Sequence, residues 1–422
     1  MSLLGIHLTL MIGRPAVAVP VPPALAEALT AASVTQSDSG RSGFQLTFQI
    51  GRSGPLDLKD YALVVHPLLQ PFSRVVLVVR FNVAPQVLVD GLITNVQLAP
   101  SNEPGASTLT VTGEDVSVMM DLQETPKPWP AMSADLIVQA ILRKPNYAQY
   151  GFVPAVFPAI FPNPKPPTQG VPVQNMTDLN YVNYLAARQG YVFYVEPGLV
   201  PNSNFAYWGP PHVPPPYRAE PLQKAISFNV GPETNAASVS FTYNALAPTL
   251  VAGVIQDSRQ NFSLPIATSP RGMRIPLARN AAIIANAPHV RLSLLPATPR
   301  QARAATAPAA PAPGSNARPA QEDFAEARTT AGLELVEAFA RAQATTDAST
   351  DNVVTATGEL DALQYGDMLR ARAIVGLRGV GFSYDGNYYV KSVTHDIRRG
   401  EYKQRFTLTR EGTGSLTPLV RP

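Results

Sequence analysis

The chain has 422 residues, 45% of them apolar and only 15% charged, with a net charge of +3 and no cysteine. That length supports two or three domains with a real core. The charge gives no electrostatic case for a nucleic-acid binder, and the missing thiols exclude disulfides, thiolate zinc sites and cysteine nucleophiles.

The N-terminus, MSLLGIHLTLMIGRPAVAVP, is apolar but has no basic leader and carries Arg14, so it reads as a β-strand and not as a signal peptide. No run approaches about 18 uninterrupted apolar residues, so no membrane span is expected. Up to residue 124 the pattern is β. Runs rich in Val, Ile, Leu, Phe and Thr recur at 8–12, 44–50, 75–81, 86–96 and 107–119, with turn residues between them. One short helix is expected at 22–29, with prolines at its start. The tetrad GRSG stands at 40–43 and again at 51–54, on both sides of FQLTFQI. A phosphate loop needs a helix after its glycines. Here Phe44 begins a period-two alternation, so the tetrads mark the ends of one strand, with Phe44, Leu46, Phe48 and Ile50 toward the core.

Residues 125–175 change character. Ser133 is placed to cap a helix whose Leu136, Ile137, Ala140 and Ile141 form a stripe, ended by Lys144-Pro145. Prolines are dense from 152 to 172, among Phe157, Ile160 and Phe161, which reads as an ordered but irregular arm. In NMTDLNYVNYLAARQGYVFYVEP, Thr177 caps a second helix with Leu179, Val182 and Ala186 on one face. Gly190 stops it, and a strand follows at 191–195. Residues 225–231 and 237–243 are expected to pair as a hairpin. Residues 296–322 are an Ala/Pro-rich linker or mobile loop. A helix at 323–343 then leads into a second β region through VVTATGEL, MLRARAIVGL, YYVKSVTHDIRR and EYKQRFTLTRE, with Asp385-Gly386 and Arg399-Gly400 as hairpin turns. This region is mildly basic: residues 366–422 hold ten Lys/Arg and five Asp/Glu, against nine and eleven in residues 1–150.

The motifs of catalysis are missing. None of His7, His66, His212, His289 and His395 sits in HExxH or at ligand spacing from a carboxylate, and there is no GxSxG elbow or Walker A loop. Glycines 376, 379 and 381 of GLRGVGFSYDG lack the βαβ unit that a dinucleotide site needs, and the adjacent Glu114 and Asp115 have no acid/base partner. No catalytic residue, metal or cofactor is therefore expected. The aromatic cluster Tyr191, Phe193, Tyr194, Tyr207 and Trp208 has two readings: a stacking platform for sugars, which would make the chain a glycan-binding or cell-wall module, or the packed core of a hairpin against a helix.

Two stretches carry a family resemblance. TDLNYVNYLAARQGYVFYVEPG contributes Asp178, Leu185, Ala186, Gly190 and Tyr191. GNYYVKSVTHDIRRGEYKQRFTLTREG contributes Tyr389, Val390, Ser392, Val393, His395, Tyr402, Phe406, Leu408 and Arg410. Both, with SGFQLTFQIGRSGPLDL and STLTVTGEDVSVMMDL, resemble the baseplate-hub family of contractile phage tails and injection systems, also called late-control D or phage protein D. The resemblance covers most of the chain except the Ala/Pro linker. It implies a mainly β protein with an α/β insertion: two β-barrel-like tube domains, at 1–124 and 323–422, around a mixed cup domain at 125–295. It implies a non-enzymatic structural homotrimer that joins inner-tube subunits to a separate spike protein among other baseplate subunits. Such a particle is assembled in the bacterial cytoplasm and can be released. In that setting Gln45, Thr47 and Gln49 are expected to face the lumen or a neighbouring subunit.

Overall fold

The computed structural model of the chain describes residues 2–3, 6–38, 40–51, 61–81, 84–103, 105–159, 171–211, 223–256, 263–269, 276–281, 291–295 and 335–416. The 296–322 segment, the start of the helix after it, the second GRSG tetrad beyond Gly51, Ile160, Phe161, His212 and His289 lie outside these residues.

The first part of the chain supplies β1 (Ser2–Leu3), β2 (Ile6–Arg14), β3 (Val17–Pro20), α1 (Pro23–Ala28), β4 (Leu29–Ser37), β5 (Gly43–Ile50), β6 (Arg74–Phe81), β7 (Ala84–Ala99) and β8 (Ser107–Asp115). The middle supplies β9 (Glu124–Pro128), α2 (Ala134–Leu142), α3 (Pro145–Ala148), β10 (Phe152–Val156), β11 (Val173–Thr177), α4 (Asp178–Gln189), β12 (Val192–Pro197) and β13 (Asn204–Gly209). Then come β14 (Gln223–Ser227), β15 (Ala236–Tyr243), β16 (Thr249–Gln256), β17 (Ser263–Ala267), β18 (Ala278–Ala281) and β19 (Arg291–Leu295). The last part holds α5 (Leu335–Asp351), β20 (Val354–Asp361), α6 (Ala362–Tyr365), β21 (Ile374–Arg378), β22 (Gly386–Arg398), β23 (Glu401–Arg410) and β24 (Gly412–Ser415).

The protein is mainly β. A 14-stranded sheet runs β1-β2-β6-β7-β8-β5-β4-β22-β23-β20-β15, with β3 on β2, β21 on β22 and β14 on β21 as branches. The joint between the two ends of the chain is β4 against β22, antiparallel, with Val34 opposite His395 and Ser33 opposite Asp396. The N- and C-terminal β regions thus share one open sheet, and no closed barrel occurs among the described residues. Strand β7 is long enough to serve two neighbours. Its first half pairs with β6 and its second with β8, so the sheet turns at Gly91. A Cβ there would stand 2.3 Å from Glu114 O and 2.9 Å from the Phe44 ring, which only glycine avoids.

Period-two burial follows the sequence closely in β5: Phe44, Leu46, Phe48 and Ile50 are buried, while Gln45 and Gln49 are exposed and Thr47 is half-buried. The buried set packs with Val75, Leu77, Val111 and Ile397 in the largest core. Each such side chain contributes about 1.5–3 kcal/mol by leaving water. A second core lies under α2 and α4, around Ile141, Val182, Leu185 and Trp208. A third lies under the C-terminal strands, around Leu360, Val390, Val393 and Leu408.

Several local expectations change. Residues 225–231 and 237–243 do not form a hairpin: β14 lies parallel to β21 and β15 antiparallel to β20. Asn229 and Gly231, both at positive φ, turn the chain away, and Asn235 ties the loop by bonding Ser227 N and Ala225 O. The strand from Ser107 ends at Asp115, whose carboxylate accepts from Ser117 N and starts a 3-10 turn over Val116–Met120. The strand expected in MLRARAIVGL begins only at Ile374. Before it, Leu369 N and Arg370 N bond the side chains of Gln404 and Gln223, and Arg372 adopts φ 63°. Asp385-Gly386 ends a longer loop and is not a two-residue turn. In α2, Leu136 is exposed, Val138 and Leu142 complete the buried stripe, and Ser133 makes no side-chain cap bond.

Candidate functional site: the polar face of the sheet

From β7 to β15 the sheet is eight strands, β7-β8-β5-β4-β22-β23-β20-β15, and every adjacent pair is antiparallel. Registers place one polar residue beside another across all of them. One row reads Asn95, Thr112, Gln45, Ser33, Asp396, Lys403 and Asp361. Its neighbour reads Gln97, Thr110, Thr47, Ala31, Arg398 and Glu401. Toward the opposite strand ends, Ser37, Ser392, Thr407, Thr357 and Ser240 align, followed by Thr409, Thr355 and Thr242. The residues between these positions point the other way and build the two sheet cores.

The face is polar with little free charge. Gln49 donates to Gly105 O at 2.8 Å, Ser33 donates to Asp396 at 2.8 Å, and Thr35 and Thr394 bond across the β4–β22 joint at 3.1 Å. Its cations cluster near the β22–β23 turn beside carboxylates. Lys403 lies 2.8 Å from Glu401 and 3.3 Å from Glu359, and Arg405 pairs with Asp396. Exposed pairs of this kind contribute little stability, roughly 0–1 kcal/mol each. Their effect is to cancel charge.

The positions that carry the family resemblance are mostly scaffold. Thr177 Oγ1 accepts from Asn180 N and starts α4. Asp178 is buried and accepts from Lys144 Nζ at 2.6 Å, Tyr147 Oη at 2.6 Å and Gln174 Nε2 at 2.7 Å. It fastens α4 to α3 and β11, and burial together with that bond pushes the Tyr147 hydroxyl pKa up. Leu185 and Ala186 are buried, and Gly190 closes the helix at φ 68°. Tyr191 donates to Pro158 O at 2.6 Å and meets Trp208 edge-on; burial, then the nearby Asp135, push its pKa up to about 12.

In the C-terminal motif, Tyr389, Val390, Val393, Phe406 and Leu408 are buried, and Ser392 lies on the polar face. His395 is fully buried and bonds Tyr402 Oη through Nδ1 at 3.0 Å. Arg410 is buried over the Tyr388 ring and donates to the carbonyls of Gly412, Asp385 and Ser383, which shapes the loop before β22. Desolvation lowers its pKa.

Sequence reasoning missed a buried polar junction where the first sheet, the middle region and the C-terminal region meet. Arg74 holds Asp90 through two bonds, 2.7 and 2.8 Å, and donates to the carbonyls of Pro15 and Tyr150. Asn204 adds a bond to Asp90 at 3.2 Å. Nearby, Asp115 accepts from Ser42 N at 2.6 Å, and Arg372 lies 4.1 Å over the Tyr194 ring and donates to Ser42 Oγ. Desolvation raises the pKa of both Asp90 and Asp115. A small cavity beside them is lined by Asp90, Asp115, Glu196, Arg370 and Arg372. The signal in the sequence was a lone charge inside an apolar run: Arg74 opens RVVLVVRF and Asp90 interrupts QVLVDGLI.

The sugar-platform reading fails on exposure. Tyr191, Phe193, Tyr194, Tyr207 and Trp208 are all buried, Trp208 completely, so no ring face is open to a sugar. They pack on one another and on α4: Tyr194 stacks on Tyr207, and Trp208 Nε1 donates to Val182 O. Among the described residues no group of three or more His, Asp or Glu is placed to hold a metal, and no helix is long and apolar enough to cross a membrane.

No family model matches the chain, and no curated protein matches it in sequence. Solved structures do match in fold. The tail protein from Neisseria meningitidis MC58 aligns over 96% of this chain and 97% of its own, at 9% identity and a TM-score of 0.55. The 43 kDa tail protein of prophage MuSo2 from Shewanella oneidensis aligns over 96% and 99%, at 9% identity and 0.54. A chain of the lidded Francisella PdpA–VgrG complex covers all of this chain with 55% of its own length, at 8% identity and 0.51. The fold is that of these tail proteins and of this chain of the PdpA–VgrG complex.

Proposed function

We propose that this chain is the structural central hub of a contractile injection system or phage-tail baseplate, a homotrimer that joins a hexameric inner tube to a trimeric spike. The observation that carries it is the polar face of the eight-stranded sheet, built by strands from both ends of the chain together with β15. A conduit wall must be wet and must not hold what passes. Thr, Ser, Gln and self-cancelled ion pairs supply such a wall. Gln45, Thr47 and Gln49 face the lumen in this proposal, and the barrel-like tube arises only when several copies close a ring. Residues 1–124 and 323–422, with β14 and β15 added to their sheet, form the tube layer, and the rest of 125–295 forms the cup that receives the spike and meets other baseplate subunits. The protein acts without catalysis, within a particle assembled in the bacterial cytoplasm. The tail-protein fold supports this reading.

Size-exclusion chromatography with light scattering tests it, on the chain alone and mixed with tube and spike subunits. A trimer that binds both is expected, and a stable monomer that binds neither overturns the proposal. For the lumen assignment, a Gln45→Leu, Gln49→Leu variant should assemble but deliver poorly. Normal delivery removes that role.

A further inference from the structure

An open sheet has two edges, and an exposed edge invites another strand unless it is guarded by charge, proline, brevity or a cover. The β2 side of this sheet is guarded. It carries only the short β1 and β3, and β3 ends in Pro20. The side chain of Asn202 also bonds the main chain of β3, accepting from Ala18 N at 2.9 Å and donating to Ala18 O at 3.4 Å.

The eight-stranded polar layer ends differently. At one end, β6 pairs only with β7 up to Leu92, and residues 94–99, TNVQLA, have β8 on one side and no strand on the other among the described residues. At the other end, β15, AASVSFTY, pairs with β20 alone among the described residues. Neither edge contains a charge or a proline.

We propose that β7 of one copy of this chain, at residues 94–99, pairs with β15 of the next copy, head to tail, and that this strand addition is the joint between protomers. The inference rests on the hub reading above and names its interface. Three features of the edges agree. Direction alternates along an even number of strands, so β7 and β15 run oppositely and their junction is antiparallel like every other junction in the layer. The faces match: Asn95 and Gln97 continue into Ser238, Ser240 and Thr242 on the polar side. On the other side, Val96 and the partly exposed Leu98 meet Val239, Phe241 and the partly exposed Tyr243. The joint is also heterologous, so it repeats from copy to copy instead of stopping at a pair, and it closes a ring when the rotation between copies closes.

The chain has no cysteine, which makes disulfide trapping clean. A chain carrying both Gln97→Cys and Ser240→Cys, mildly oxidised, should give covalent dimers and trimers on a non-reducing gel. Asn95→Cys combined with Thr242→Cys tests the same register, and Gln97→Cys combined with Ser238→Cys or Thr242→Cys covers registers shifted by two residues either way. Each single substitution should give no linked species. If Ser240→Cys alone links two chains, the joint is a two-fold β15 pair and the proposal is overturned. If light scattering shows a trimer but no combination of these positions links, the hub reading stands and this joint falls. A monomer throughout overturns both. A second measurement needs no variant: hydrogen exchange at 94–99 and 236–243 should slow at least tenfold as concentration drives assembly, and unchanged exchange in the assembled protein refutes the joint.

Discussion

His395 gives the sharpest test of the packing at the joint between the two chain ends. It lies in β22 opposite Val34 of β4, fully buried, with Tyr402 on Nδ1 and no partner for Nε2 among the described residues. Desolvation, with Arg370 nearby, lowers its pKa from 6.5 to about 3. The sign follows from linkage. The unfolded chain takes up a proton below about pH 6.5, whereas the folded chain refuses it until about pH 3, so stability is complete above pH 6.5 and falls as the pH drops between those values. Between pH 7 and pH 4 this one group removes about 3 kcal/mol. Asp90 and Asp115 have raised pKa values and act in the opposite direction over part of that range, so the wild-type curve alone is not diagnostic. The comparison is with His395→Gln, whose amide can still bond Tyr402 but does not titrate. Urea unfolding followed by Tyr and Trp fluorescence at pH 7 and pH 4 should show the variant losing about 3 kcal/mol less than wild type. Parallel losses would refute the neutral buried imidazole.

Other substitutions probe the scaffold. Asp178→Ala removes the acceptor shared by Lys144, Tyr147 and Gln174 and should cost about 3 kcal/mol, read as a lower thermal midpoint with faster exchange in α4. Gly190→Ala puts a Cβ at φ 68° and 3.0 Å from the Ala344 methyl; a loss of about 1–2 kcal/mol is expected in chemical unfolding. Trp208→Ala empties a fully buried site and should cost about 3–5 kcal/mol, while polysaccharide arrays should show no binding by either form.

Strand existence was legible wherever one face is buried. The alternation in FQLTFQI left only one way to place β5, because a one-residue slip would turn Phe44, Leu46, Phe48 and Ile50 to water. The cap at Thr177 and the stop at Gly190 were equally legible, since both act within one helical turn. Pairing partners were not. The hairpin expected around 225–243 has the local look of one, yet β14 and β15 find β21 and β20, more than a hundred residues away. The strand expected through MLRARAIVGL starts late, at Ile374, for the same kind of reason: Gln404 and Gln223 satisfy the backbone donors of Leu369 and Arg370 from a distance. The aromatic cluster gave two readings, and only burial separated them.

The sequence by itself determined the class and the rhythm of this protein: mainly β ends, a mixed middle, no thiol chemistry, and strands that alternate apolar with uncharged polar residues. Those properties follow from side-chain period and backbone geometry, which act over a few residues. Only the tertiary structure decided that the two ends form one sheet through β4 and β22, that the polar residues of eight strands lie on one face, and that this face ends, among the described residues, in two edges with no neighbouring strand. Cross-strand register fixes all three, and register is set by which distant apolar faces bury together. The GRSG tetrad at residue 40 shows the division: its turn was readable from glycine, whereas Ser42 N on Asp115 and Arg41 beside Glu114 became visible only once β5 lay against β8.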